Sequence, residues 1–204
     1  MASDVTLPGD TPGKNNADSG PTPGGAPVED LRHALEVATQ AAWAAGEAVM
    51  PYFRGDLEVQ LKAGDEPVTA ADKASEAVIL AALAEAFPDD GILSEEQPEH
   101  LDWTAKPRCW VVDPLDGTKD FVAGRDGFSI MVGLLVGDRP ALGVVHQPVA
   151  GVTYRAASGL GAEMRQGAEA LPWQPLRPSE RKPPERIKLV ASRSHPSPRV
   201  AEAK

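Results

Sequence analysis

The sequence predicts an α+β fold, and three observations carry that expectation. Two alanine-rich stretches with helical periodicity lie before residue 90. Short apolar runs separated by turn residues, each of strand length, dominate the chain after that point. One junction between such runs, Gly137-Asp138-Arg139-Pro140, has the chemistry of a hairpin. Helices followed by a mostly antiparallel sheet segregate into layers instead of alternating along the chain.

Each element follows from its residues. Residues 1–27 repeat Pro and Gly with almost no large apolar side chain, which predicts a disordered leader. From Val28 to Met50, Leu31, Leu35, Ala38, Ala42, Ala45 and Val49 recur at helical spacing, and Pro51 stops the run. Leu57 to Leu61 alternates as a short strand, and Lys62 to Pro67 reads as a turn. A second helix is expected from Ala70 to Phe87, with Thr69 as its N-cap, Asp72 at the third helical position and Pro88-Asp89-Asp90-Gly91 beyond its end. Strands are expected at Ile92–Ser94, Cys109–Val112, Phe128–Val136, Ala141–Gln147 and Val152–Arg155, with Pro114 and Gly117 closing the second of these. The run from Phe128 to Val136 is apolar at nearly every residue, which predicts a central strand covered on both faces. After Leu171 the chain is Pro-rich, and only Ile187 to Ala191 reads as another strand.

Composition narrows the function. The chain has 204 residues and a formal net charge of -10. Residues 171–204 hold eight Lys/Arg against three Asp/Glu, leaving 12 basic and 27 acidic residues in the rest. Such an acidic body repels nucleic-acid backbones and anionic membranes, and no nucleic-acid or membrane partner is expected. No apolar run approaches the roughly 20 residues that cross a bilayer, and no signal-peptide pattern opens the chain, so a cytoplasmic location is expected. The single cysteine, Cys109, has no internal disulfide partner and reads as a small buried hydrophobe.

The chemistry concentrates at Trp110-Val111-Val112-Asp113-Pro114-Leu115-Asp116-Gly117-Thr118, where an apolar strand ends in two carboxylates, a glycine and a threonine. Asp113, Asp116 and the Leu115 carbonyl can converge around the Pro-Leu corner, an all-oxygen set suited to Mg²⁺ or Mn²⁺. Gly117 lets the backbone approach an anion, and Thr118 adds a hydroxyl where a helix begins, so both are candidate phosphate contacts. An EF-hand is excluded, because the second acid is fourth and glycine fifth. Haloacid-dehalogenase-type phosphatases separate their aspartates by one residue, whereas two separate them here. Glu95-Glu96 after Ile92-Leu93-Ser94 is by itself a solvated acidic pair, and Asp72 by itself a helix-dipole residue.

Taken together, Pro67-Val68-Thr69-Ala70-Ala71-Asp72, Leu93-Ser94-Glu95-Glu96 and Asp113-Pro114-Leu115-Asp116-Gly117-Thr118 resemble the inositol monophosphatase superfamily in order and spacing. The resemblance runs from about Leu31 to Arg193 and is nearest the CysQ-type 3'(2'),5'-bisphosphate nucleotidases. Gly143-Val144-Val145-His146-Gln147-Pro148 and Ala191-Ser192-Arg193-Ser194-His195 share in it. It implies a layered α/β/α/β/α sandwich and a lithium-sensitive, Mg²⁺-dependent phosphomonoesterase using two or three ions, with Mn²⁺ as a substitute. Glu95, Asp113, the Leu115 carbonyl and Asp116 would be the metal ligands, and Asp72 and Thr118 would position and deprotonate the attacking water. Lys62 is a further candidate near the site, and His146 and His195 read as structural. The implied substrate is a small phosphorylated metabolite: 3'-phosphoadenosine 5'-phosphate first, an inositol or other sugar phosphate second. A homodimer is the partner that the family implies.

The family pattern continues with a C-terminal Trp-Asp that is not found after Arg193. The expected organisation is therefore a leader (1–27), an α+β metal-binding phosphatase lobe (28–158) and the start of a truncated C-terminal α/β lobe (159–204). The missing aspartate also keeps a non-catalytic metal or phosphate binder as the alternative from another class.

Overall fold

The computed structural model describes residues 28–55, 59–61, 67–97, 106–167 and 171–178. The leader, Lys62, the Ile187–Ala191 segment and His195 lie outside the described residues. In chain order the elements are α1 (Val28–Val49), a 3₁₀ turn (Met50–Tyr52), β1 (Val59–Leu61), β2 (Pro67–Thr69) and α2 (Ala70–Ala86). There follow β3 (Gly91–Ser94), β4 (Arg108–Asp116), α3 (Thr118–Val122), β5 (Ser129–Val136), β6 (Arg139–Gln147), β7 (Val152–Ala157), β8 (Gly161–Gln166) and β9 (Gln174–Leu176).

Strands β3 to β9 form one seven-stranded sheet in sequence order. Among the described strands only β3 and β4 pair parallel; all later neighbours are antiparallel, and those from β5 to β8 are joined by connections too short for a parallel crossover. β1 and β2 make a separate two-stranded ribbon ahead of α2.

Both long helices pack on one face of the large sheet. α1 contributes Leu31, Ala34, Leu35, Ala38, Ala42, Ala45 and Val49, all buried, and its many alanines let the helix lie close to its neighbours. α2 adds Ala71, Ile79 and Leu83, and the sheet answers with Ile92, Trp110, Val112, Ile130, Val132, Leu134 and Val144. Burying each such Val, Leu or Ile contributes about 1.5–3 kcal/mol. Trp110 is fully buried, and its indole N–H is satisfied by Asp90 Oδ2 at 2.9 Å. Cys109 is buried as expected, and desolvation pushes its thiol pKa up.

Four expectations are corrected. β4 does not stop at Pro114 but runs on to Asp116, because its register with β5 shifts there. Asp113 and Asp116 face Met131 and Ser129, so β4 carries one extra residue in a bulge. The bulge spares the ladder the N–H that proline lacks. β5 is not covered equally on both faces: Ile130, Val132 and Leu134 are buried, while Met131, Gly133 and Leu135 are half-buried, since both helices lie on one side. The hairpin after β5 is tighter than four residues, with Val136 paired to Arg139 and Gly137 at φ +61°. Finally, the sheet does not end with the strand expected at Val152–Arg155. β8 and β9 continue it, although neither segment has the β-branched residues that mark strands in a sequence, because pairing to an existing edge outweighs weak local propensity.

The far end of this sheet is tied back to α1. Trp43 donates its indole N–H to Thr153 Oγ1 at 2.7 Å, and the Arg165 guanidinium lies 4.2 Å from the Trp43 ring and 4.5 Å from Trp173.

Candidate active site

Asp72 sits in the first turn of α2 and splits its carboxylate between two tasks. Oδ2 accepts from the Thr69 backbone N–H at 2.8 Å and from Thr69 Oγ1 at 2.7 Å, completing the capping box. Oδ1 accepts from Thr118 Oγ1 at 3.2 Å, across 46 residues of sequence. Asp72 is 1% exposed, so its orientation is set by these partners and not by solvent.

Thr118 opens α3, a five-residue helix anchored from below by Phe121. Phe121 packs edge-on against Phe128 at 4.8 Å between centroids and lies 5.5 Å from Phe53. Gly117, the residue before α3, has φ +86°, and a Cβ there would stand 2.8 Å from the Gly127 carbonyl oxygen. The position therefore demands glycine on two counts, backbone conformation and space. The Thr118 hydroxyl also lies 3.1 Å from the Leu115 carbonyl oxygen, joining three candidate groups through one side chain.

The β4 bulge governs the two aspartates. Residues three apart on a regular strand face opposite sides, but the extra residue returns Asp116 to the side of Asp113. Asp113 Oδ1 accepts from the Leu115 N–H at 3.2 Å, and Ser129 Oγ donates to Asp116 Oδ2 at 3.4 Å. Glu95 enters from the end of the parallel neighbour β3, its N–H donating to the Val112 carbonyl at 3.1 Å. Burial, then the charge of Glu95, a hydrogen bond with Glu95 and the charge of Asp116 push the Asp113 carboxyl up to about 7.

Glu95, Asp113 and Asp116 thus influence one another. Among the described residues, no three His, Cys, Asp or Glu side chains stand as a ready-made metal cage. The donors nonetheless fit Mg²⁺: they are all oxygen, and their mutual repulsion is what a divalent cation relieves.

Two residues at this site escaped the sequence reading. Ser75 Oγ donates to the Pro114 carbonyl at 2.6 Å, which holds the bulge. Glu76 accepts from Ser94 Oγ and, at 2.6 Å, from Gln97 Nε2, on either side of Glu95. Asp72, Ser75, Glu76 and Ile79 occupy one buried helical face. Polar residues at i, i+3 and i+4 on a face that the periodicity assigns to the core are the signal that was available.

His146 bonds within the fold: its Nδ1 lies 3.0 Å from Thr153 Oγ1, and burial lowers its pKa. It lines a cavity of about 360 Å³ between α1 and the β6–β8 region, together with Trp43, Glu47 and Arg165. That cavity shares no residue with the acidic cluster, which lies open at the strand ends.

Comparison with known proteins gives the family. The inositol monophosphatase family profile matches residues 30–203. The chain belongs to the inositol monophosphatase family. Among family members, it is 38% identical over 173 residues to the 3'(2'),5'-bisphosphate nucleotidase CysQ of Salmonella typhimurium, covering 82% of this chain and 67% of that protein. It is 40% identical over 139 residues to the inositol-1-monophosphatase of Synechocystis sp., covering 67% of this chain and 48% of that one. The crystal structure of CysQ from Bacteroides thetaiotaomicron superposes with a TM-score of 0.68 at 27% identity, over 84% of this chain and 66% of that one. Inositol monophosphatase from Anabaena superposes with a TM-score of 0.58 at 37% identity, over 67% and 49%. The family fold is thereby established as an α+β sandwich, and this chain spans about half to two thirds of the length of these relatives.

Proposed function

We propose that the chain is a Mg²⁺-dependent phosphomonoesterase that releases phosphate from a small phosphorylated metabolite, with 3'-phosphoadenosine 5'-phosphate, giving AMP, as the leading substrate. The observation that carries this reading is the linkage of Asp72, Thr118 and the Leu115 carbonyl beside the acidic group of Glu95, Asp113 and Asp116.

Glu95, Asp113, the Leu115 carbonyl and Asp116 are the residues to hold the ions. Bound Mg²⁺ would neutralise the phosphate, lower the pKa of water and stabilise the leaving oxygen. The chain's own part is positioning and proton transfer. Thr118 accepts a proton from the attacking water as its own hydroxyl proton passes to Asp72 Oδ1, the acceptor it already faces. The water oxygen bonds to phosphorus, the ester P–O bond breaks, and the leaving alkoxide takes a proton from solvent. Gly117, with no side chain to keep an anion from its backbone, is the residue to contact the phosphate beside Thr118. No covalent protein intermediate is needed.

The nucleotide preference is supported by the CysQ relatives, whose similarity covers more of this chain than that of the inositol-1-monophosphatase. A second reading, a sugar-phosphate or related monoester, draws on that inositol-1-monophosphatase and on the histidinol-phosphatase of Chlorobaculum parvum, 40% identical over 136 residues. Phosphate release from 3'-phosphoadenosine 5'-phosphate and inositol 1-phosphate in parallel, with Mg²⁺ and with or without Li⁺, tests both. Lithium-sensitive preference for the nucleotide is the expected result, and preference for inositol 1-phosphate reverses the ranking. Turnover unaffected by Asp116→Asn would remove the assigned site, and Mg²⁺ binding without turnover of either substrate would mark a non-catalytic binder.

A further inference from the structure

We infer that Glu76 is a positioning residue for Glu95, clamping the β3 terminus so that the Glu95 carboxylate is presented to Asp113. This rests on the metal-site reading above and adds a residue to it. The argument begins with burial: Glu76 is 3% exposed, in the middle of α2, where an apolar side chain would ordinarily stand. A carboxylate so placed is costly unless its oxygens are satisfied, and both are. Oε1 takes the Ser94 hydroxyl, and Oε2 takes the Gln97 amide at 2.6 Å.

Those two donors bracket Glu95 in sequence, one residue before it and two after. Between them, the Glu95 N–H is held by the Val112 carbonyl at 3.1 Å, beyond the last β3–β4 pair, Ser94 with Val112. The strand end is thus tethered at three successive points, two of them on one side chain of α2. A β-strand terminus left to itself frays, and Glu95 is solvent-exposed, so burial adds little to hold it and its fixed neighbours do more. The same helix face places Asp72 on Thr118 and Ser75 on the Pro114 carbonyl. One rigid helix thereby sets the relative position of all three segments that carry the site, which is how a metal site gains precision from the groups behind its ligands.

The test is Mn²⁺ affinity of the whole chain, read from the electron paramagnetic resonance signal of free Mn²⁺, alongside thermal unfolding. Glu76→Ala is expected to weaken Mn²⁺ binding by about 10- to 100-fold, the range found when groups behind metal ligands are removed. Glu76→Gln, which keeps an acceptor for Ser94 and can pair with a flipped Gln97 amide, should restore most of the affinity. Ile79→Val, on the same face but without a polar contact to the site, should lower the melting temperature and leave affinity unchanged. Should Glu76→Ala not fold, Gln97→Leu and Ser94→Ala each remove one tether with less disturbance, and each should weaken Mn²⁺ several-fold. Affinity within twofold of the unsubstituted chain in folded Glu76→Ala, or in both single-tether variants, overturns the inference alone. Absence of Mn²⁺ binding in the unsubstituted chain, or binding unaffected by Asp116→Asn, overturns the metal-site reading and this inference with it.

Discussion

Asp72 carries two obligations that a single substitution can separate. An asparagine keeps one oxygen for the Thr69 N–H and turns its amide toward Thr118, so the cap survives while the proton acceptor is lost. Asp72→Asn is therefore expected to cut phosphate release by about 10²- to 10⁴-fold. Its melting temperature should stay near that of the unsubstituted chain, whereas Asp72→Ala should lose both the activity and about 1 kcal/mol of capping. Parallel turnover assays and melting curves check the separation. Gly117 offers a steric counterpart. Gly117→Ala would force a Cβ against the Gly127 carbonyl at 2.8 Å in a left-handed backbone, and should cost about 2 kcal/mol or more in urea denaturation. From the sequence, Asp72 is legible as a capping residue and Gly117 as a turn glycine. That the other Asp72 oxygen would meet a hydroxyl 46 residues away follows from the packing of α2 over β4.

α2 and the β4 bulge do the positioning, and the α1–β6–β7 contact does a different job, holding the distal half of the sheet. There, Trp43, Thr153 and His146 form one hydrogen-bonded string in which burial lowers the His146 pKa. A depressed histidine pKa means that the unfolded chain binds the proton more readily than the folded one. The contribution is complete above the ordinary histidine pKa of about 6.5 and is lost as pH falls through the folded value. The urea midpoint should accordingly be higher at neutral pH than in mildly acidic buffer, and His146→Gln should diminish that difference. No such dependence on His146 would mean that the ring is protonated without cost in the fold. The helices, β3 and most of β5 to β7 were legible because their periodicities are strong. β8 and β9 were not, because their residues have little strand propensity and become strands by pairing with β7 and then with each other.

The molecule as described stacks two helices on one face of a sheet and gathers acidic groups where β3 ends alongside β4, just beyond the pair of Ser94 with Val112. Metal binding there should be linked to folding, because a cation offsets repulsion that the folded state alone brings together. Mg²⁺ at about a hundred times its dissociation constant should add about 2.7 kcal/mol of stability and raise the melting temperature by several degrees. Chelation should reverse the rise, and Asp116→Asn should abolish it; an unchanged melting curve with Mg²⁺ would speak against ions at this cluster.

Local chemistry was enough to establish much of this protein before any coordinates. Alanine periodicity, the Thr69 cap and the glycine turn at Gly117 each encode their structure within a few residues, where propensity, capping and turn geometry act. The string from Asp113 to Thr118 announced its chemistry there, though not its path. The family pattern lay in that same string and its two companions. What required the folded chain was everything that depends on distant partners. The bulge that turns Asp116 to the side of Asp113 depends on register with β5. The joint task of Asp72, Ser75 and Glu76 depends on which loops α2 covers. A hydrogen bond between residues far apart in sequence leaves no local pattern, because the free energy that selects it arises only when the core has closed around both partners.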